Sequence, residues 1–468
     1  MKLREADDLA IMNGLVIDPA SNTQVVANVG VIGKQIVAIT KEKIHGRVEI
    51  NAENLVVTPG FIDILSSVLP VREAHLNKIT DGVTTCIGMH GGPIDVAGYR
   101  RNMESIGPLV NYARAVGHAD LRRASGANDR YVPASTDQID KMRHLAGQAI
   151  RDGAVGIGFG INYTPGASHE EILALFQTAS DFSVPCHVHS RFKGNIPPHT
   201  MSLAVEEVIA LAAATGARAQ LVHLTSSTVG SAAMCIALIE GAAKHGVDVG
   251  FDFHLWTRNE TNLQSALYDE GWQERFGGIT YEDLYVASTQ ERLTKERFEQ
   301  LRETGKDTLV QSEFIREEEI EAALRSPLGI IASDGRGLVE GRGHPRSSAT
   351  FSRLLGRYVR EKKMISLMDA VRKITFMPAV GMESAIPAMA RKGRLQVGAD
   401  ADITIFDSRV VRDNATYEEP SLPSEGIEYV IVNGAVVLDK GKMVQDVVRG
   451  EWLGHLPEPV TAKGSYRD

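Results

Sequence analysis

The chain is 468 residues long, enough for a barrel of about 250 residues and a further domain. Hydrophobic and charged fractions of 43% and 23% are ordinary for a folded globular protein, and 59 acidic against 50 basic side chains leave no basic field for nucleic acid. No apolar stretch approaches the roughly 18 residues that span a bilayer, and the start Met1-Lys2-Leu3-Arg4-Glu5-Ala6 lacks the apolar core of a signal peptide. Three cysteines, Cys86, Cys186 and Cys235, make no disulfide framework in a chain of this size. The expectation is a reduced, cytoplasmic enzyme of a small molecule, with no nucleic-acid or membrane partner and with homo-oligomer formation left open.

Residues 9–57 read as short strands parted by turn signals at Asn13-Gly14, Pro19-Ala20-Ser21-Asn22 and Gly33-Lys34. The carboxy-terminal part returns to that style in 401–407 and 427–438, and Met12-Asn13-Gly14-Leu15-Val16-Ile17 resembles Val432-Asn433-Gly434-Ala435-Val436-Val437. Residues 1–57 and 388–468 are therefore expected to form one β-sandwich around an inserted middle. That middle, 58–387, alternates apolar strands with amphipathic helices, the pattern of parallel βα units. Eight strand candidates, at 56–64, 83–87, 112–116, 153–159, 185–189, 219–223, 248–253 and 329–333, predict an α/β fold of the (β/α)8 TIM-barrel type, with chemistry at the carboxy-terminal strand ends. The charged segment 255–324 interrupts the alternation. It is too long for a structureless loop and is read as a helical insertion near the active site.

Four residues follow separate predicted strands: His90 in Gly88-Met89-His90-Gly91-Gly92, His189 in Cys186-His187-Val188-His189, His223 in Leu221-Val222-His223 and Asp334 in Ser333-Asp334-Gly335. Taken singly, such a histidine is more often a hydrogen-bonded structural residue, and Ser-Asp-Gly more often a turn or cap. Barrel strand ends converge, however, and three imidazoles with an open position suit a catalytic Zn²⁺. A nearby carboxylate can take a proton from water and return it to a leaving amine. His187 is on the same strand face as His189 but one layer deeper, and is read as structural. Cys86 is read as core.

The ordered phrases Gly82-Val83-Thr84-Thr85, Val116-Gly117-His118-Ala119-Asp120-Leu121-Arg122, Gly153 through Gly166, His189-Ser190-Arg191, Ser333-Asp334-Gly335, His344-Pro345-Arg346, Thr350 through Arg360 and Gly398-Ala399-Asp400-Ala401-Asp402-Ile403 together resemble the N-acyl-D-amino-acid deacylase (D-aminoacylase-like) branch of the amidohydrolase superfamily. The resemblance implies a metal-dependent hydrolase of a non-peptide C–N bond that deacylates an N-acyl (D-)amino acid. It also implies a barrel carrying a β-sandwich made from both termini. It places His189 and His223 on two metal ligands, His90 where the branch has a cysteine ligand, and Asp334 on the general base and acid. Thr58-Pro59-Gly60-Phe61-Ile62-Asp63 matches the opening of the first barrel strand, but Leu65 and Ser67 stand where two further metal-ligating histidines are usual. The fourth strand has no lysine to bridge two metals, so one zinc ion is expected.

Arg191 and Arg346 are candidates to hold a substrate carboxylate, with a structural ion pair equally open for each. Tyr163 and Ser67 are expected to line the pocket, and His118 and His344 to order ligands or loops around it. The segment Phe253-His254-Leu255-Trp256-Thr257 departs from the branch's usual phrase, so two rivals stay open. One is hydrolysis of a cyclic amide, imide, lactone or other unusual amide; the other is a non-catalytic ligand-binding barrel.

Overall fold

A computed structural model describes residues 7–66, 70–445 and 447–455. The first strand, Asp7–Asp18, pairs antiparallel with Thr23–Ile32, while its two halves run parallel to Gly46–Asn51 and Val56–Pro59. From the far end of the chain, Ile403–Phe406 pairs antiparallel with Val56–Pro59, and Ile427–Val432, Ala435–Asp439 and Lys442–Met443 follow in order. Among the described residues, nine strands from both termini thus form one sheet. Its apolar face is filled by Ile11, Val29, Val57, Ile403 and Ile431, all fully buried.

The two similar Asn-Gly phrases fold differently. Asn433 and Gly434 both take positive φ and make the two-residue hairpin between neighbouring strands. Of the other pair only Asn13 does, at a register shift inside the first strand.

The middle of the chain is an eight-stranded parallel barrel. Its strands are Phe61–Asp63, Val83–Gly88, Asn111–Arg114 continuing past Ala115 as Val116–Gly117, Ile157–Gly160, Cys186–His189, Ala219–Leu221, Val249–Phe253 and Gly329–Ile331. Each pairs parallel with the next. All eight lie within or overlap the strands predicted from sequence. Closure between the eighth and the first comes from a parallel bridge, Ser66 to Gly335, and from the Ser333 amide donating to Asp63 Oδ1 at 3.0 Å. Helices cover the outside, for example Thr136–Arg151, whose start is fixed by a reciprocal Ser135–Gln138 capping box. Among the described residues no helix is long and apolar enough to cross a membrane.

Segment 255–324, expected to be helical, also builds a three-stranded antiparallel sheet. Arg258–Asn262 and Leu284–Val286 flank Leu309–Glu313, with the helix Lys295–Glu303 beside them. The charged run that suggested helix is real, but the strands Arg258-Asn259-Glu260-Thr261-Asn262 and Leu309-Val310-Gln311-Ser312-Glu313 are polar and pair with each other. Their polarity hides the alternation that normally announces a half-buried strand. The insertion has its own core of Leu263, Tyr268, Trp272, Phe276 and Phe298.

Phe61 connects the two parts of the molecule. Its fully buried ring lies 5.8 Å from Phe351 on the barrel exterior and 6.2 Å from Phe406 of the β domain. Phe61→Ala is expected to cost about 3–5 kcal/mol, read as a lowered thermal unfolding midpoint.

Candidate metal and catalytic site

His189 ends the fifth strand and His223 follows the sixth. His90 lies just past the second. Each offers a ring nitrogen such that the three atoms lie within 4.8 Å of one another, and among the described residues no other group of three or more His, Cys, Asp or Glu side chains does so. The ring centroids are 4.4 Å apart for His189 and His223 and 5.3 Å for His90 and His223. His189 and His223 are buried, and Nδ1 of each has no hydrogen-bond partner among the described residues. The Asn162 amide hydrogen-bonds His189 Nε2 at 2.8 Å, leaving the other nitrogen bare, as in a metal-ligating imidazole. Burial pushes the His189 ring well below its ordinary pKa and brings His223 down to about 3. Both rings are therefore neutral and carry a lone pair at physiological pH. The donor set fits Zn²⁺, which accepts three protein nitrogens and keeps a fourth position open.

Two of these residues sit on strained backbone. His223 has φ +34° and Asp334 φ +52°, the left-handed region that non-glycine residues occupy at a cost. At His223 the main-chain N–H donates to Asp252 Oδ1 at 2.6 Å. At Asp334 both chain neighbours are pinned: Ser333 by Asp63, and Gly335 by its N–H donating to Ser333 Oγ at 2.9 Å.

Asp334 reaches the histidines directly. Oδ1 lies 3.4 Å from His90 Nδ1 and Oδ2 lies 2.8 Å from Arg346 Nη1. Burial alone would raise this carboxyl, but the Arg346 guanidinium beside it, with the His90 ring that hydrogen-bonds it, outweighs burial and holds it well below the usual carboxylate range. Arg346 is itself buried, and beyond the ion pair none of its guanidinium nitrogens has a hydrogen-bond partner among the described residues. His344 lies beside it: its Nδ1 accepts from the Arg346 N–H at 3.1 Å and its Nε2 lies 3.0 Å from the Arg258 carbonyl oxygen.

A cavity of about 10 Å³ lies among the three histidines, Asp334, Tyr163, Lys193, Ser226, Asn259, Glu260 and Leu267. That is room for about one water. His90 and Tyr163 also border a second cavity of about 650 Å³, whose walls include Gly92, Gly117, Gly158, Arg114 and Arg336, a size usual for small-molecule sites. Tyr163 stands between the two, its ring edge-on to His189 at 4.7 Å and its hydroxyl 3.1 Å from Thr261 Oγ1.

Other predicted residues fall elsewhere. Arg191 does not face the cavities. Its Nε and Nη2 clasp the Glu207 carboxylate at 2.8–3.1 Å and its Nη1 donates to the Ala167 carbonyl at 2.6 Å. The structural ion pair is thus the reading that holds, because a nearly buried acid on the next helix already meets the guanidinium. His118 borders the larger cavity but is paired with Glu171 at 2.6 Å, in a buried cluster with Arg122, and touches none of the three histidines. His187 and Cys86 stay out of the histidine group and are buried. Ser67 lies outside the described residues. Leu65 is buried with Ile87, Met89 and Ala332 in an apolar cluster inside the barrel.

Several residues were not singled out from sequence: Asn162, Asp252, Lys193, Asn259 and Glu260, and the trio Asp63, Lys78 and Ser333. Asn162 and Asp252 carried a signal, since each follows or ends a predicted barrel strand. Asn259 and Glu260 carried none, because they belong to the insertion.

The profile of the Amidohydrolase family matches residues 80–438 of the chain. An N-acyl-D-glutamate deacylase of Alcaligenes xylosoxydans xylosoxydans is 30% identical over 477 positions, covering 93% of this chain and 94% of the relative. Among solved structures, the N-acyl-D-glutamate deacylase of Bordetella bronchiseptica, complexed with zinc and a phosphonate mimic of the tetrahedral intermediate, aligns with TM-score 0.82 and 27% identity over 96% of this chain and 100% of that one. A D-aminoacylase studied for its binuclear metal centre, with one-metal activation and second-metal attenuation, aligns with TM-score 0.82 and 25% identity over the same shares.

Because Arg191 serves Glu207, Arg191→Gln is expected to lower stability by about 1–3 kcal/mol while leaving KM within about twofold of wild type. Steady-state kinetics beside thermal unfolding checks this.

Proposed function

The chain belongs to the amidohydrolase family, and from that premise we propose that it deacylates an N-acyl-D-amino acid, with one zinc ion held by His90, His189 and His223 and with Asp334 as general base and then acid. The observation that carries this reading is the convergence of three imidazoles from three strand ends, those of His189 and His223 neutral, on one small cavity that also contains an ionised aspartate. When bound, zinc supplies Lewis acidity, polarising the amide carbonyl and making water a better nucleophile near neutral pH. Asp334 accepts the proton of the attacking water and delivers it to the leaving nitrogen, so the C–N bond breaks to give a carboxylate and a free amino acid. Arg346 keeps Asp334 ionised and fixes its orientation. Tyr163 divides the reacting cavity from the larger one, where a side chain or acyl group fits.

In the larger cavity Arg336 makes no hydrogen bond or ion pair among the described residues, and Arg114 adds a second guanidinium. That charge favours substrates bearing a further carboxylate over apolar ones. A count of one ion is supported by Leu65, which cannot ligate and is packed among apolar neighbours.

Asp334→Asn is expected to lower kcat for an N-acetyl-D-amino acid by about 10²–10⁴-fold with zinc content unchanged by metal analysis. Undiminished turnover in that variant would sink the assignment of the base. Within a panel of N-acetyl-D-glutamate, N-acetyl-D-leucine and a hydantoin, the acidic open-chain substrate is expected to have the highest kcat/KM. Preference for the hydantoin would favour the cyclic-amide reading.

A further inference from the structure

Three side chains remote from the proposed substrate site converge behind Asp334. Lys78, on the helix Arg72–Thr80, is buried, and its ammonium donates to Asp63 Oδ2 and to Ser333 Oγ, each at 2.9 Å. The same Ser333 hydroxyl donates to Asp63 Oδ2 at 2.5 Å and accepts from the Gly335 N–H at 2.9 Å. The Ser333 amide donates to Asp63 Oδ1 at 3.0 Å. The residues before and after Asp334 are therefore both held by one ion-pair cluster, and Asp334 between them carries the positive φ of 52°.

We propose that Lys78, Asp63 and Ser333 form a positioning device that holds the backbone of Asp334 in its left-handed conformation and so aims the carboxylate at the three histidines. The inference rests on the reading of Asp334 as the base. The geometry explains why all three side chains are needed. Asp63 alone, fully buried, would be an uncompensated charge at the barrel seam. Lys78 neutralises it, and although burial works against the ammonium, Asp63 outweighs that effect and keeps it charged. Ser333 transmits the anchorage, since its hydroxyl is the one atom bonded at once to Lys78, Asp63 and the Gly335 amide. No room exists for a bulkier anchor: a Cβ on Gly335 would come within 3.0 Å of Ser333 Oγ and 3.2 Å of Lys78 Nζ. The left-handed turn is therefore stabilised by fixed hydrogen bonds on either side rather than by a glycine at position 334. A general base displaced by about 1 Å loses on the order of 100-fold in rate.

The test compares Lys78→Met, Lys78→Arg and Ser333→Ala with wild type and Asp334→Asn, measuring kcat, KM, zinc content and thermal midpoint with N-acetyl-D-glutamate. Ser333→Ala is the smaller change and decides the matter if Lys78→Met does not fold. The expected result is a 10- to 100-fold fall in kcat for Ser333→Ala and Lys78→Met, with KM within about threefold and full zinc content, and partial recovery in Lys78→Arg. Wild-type kcat in folded Ser333→Ala while Asp334→Asn is inactive would overturn the positioning role and leave the assignment of the base standing. A fall in kcat only in proportion to lost zinc would assign the cluster a purely structural role and overturn it too. Full activity in Asp334→Asn would instead overturn the reading of the base itself.

Discussion

The barrel closes on one buried carboxylate. Between the eighth strand and the first, a single bridge, Ser66 to Gly335, is the ladder pairing among the described residues, and Asp63 adds to the seam by accepting from the Ser333 amide, the Ser333 hydroxyl and the Lys78 ammonium. A fully buried carboxylate is tolerable only when several donors meet it, and these come from an outer helix and from the opposite edge of the sheet. Asp63 therefore fixes where the eighth strand ends relative to the first. Asp334 is the residue immediately beyond that fixed point. The closure of the fold and the placement of the carboxylate proposed as the base are one constraint.

The same seam bears on the number of metal ions. Two residues past Asp63, just beyond the end of the first strand, Leu65 packs against Ile87, Met89 and Ala332. An apolar cluster at that depth offers no lone pair and would exclude the water that a hard or borderline cation carries. Positive charge is nevertheless present nearby, as the Lys78 ammonium, but it is tied to Asp63 and Ser333 rather than open to a ligand. The three histidines are drawn instead from the second, fifth and sixth strands.

Much of this was legible in the sequence because barrel strands impose position. Apolar runs of four to six residues followed by Gly, His or Asp located eight strands and, with them, His90, His189, His223 and Asp334, although nearly 250 residues separate the first of these from the last. What failed was pairing. Arg191 and Arg346 look alike from sequence, each a guanidinium beside a histidine phrase. Arg191 meets Glu207, sixteen residues on along the helix that packs beside it, while Arg346 meets Asp334. No local pattern distinguishes the two, because the partner is chosen by packing. The insertion was misread for a related reason: its strands face one another with polar side chains, so helical charge patterning dominated the signal.

That division separates the reaction from its substrate. The groups proposed to hold metal and move protons stand at strand ends, where the sheet fixes the backbone and hydrogen bonds accepted by Asp252 and Asp63, with that of the Asn162 amide, fix what remains. The surfaces that would meet the rest of the substrate come from elsewhere: Asn259, Glu260, Thr261 and Leu267 from the insertion, Arg336 from the loop after the eighth strand, Gly92 from the loop after the second strand and Gly117 from the end of the third. Loops and inserted segments can change without disturbing barrel closure. Glu260 illustrates the consequence. It is a buried carboxylate beside the small cavity, where burial raises its pKa and, among the described residues, a long contact of 3.5 Å from Gln311 is the one hydrogen bond that meets it. Such a group is maintained by the field of Arg346 and Arg336 around it, so the charge balance of the pocket depends on the insertion and the eighth loop together. The specificity proposed for this site is a property of that joint surface, and the three histidines beneath it can persist while the surface changes.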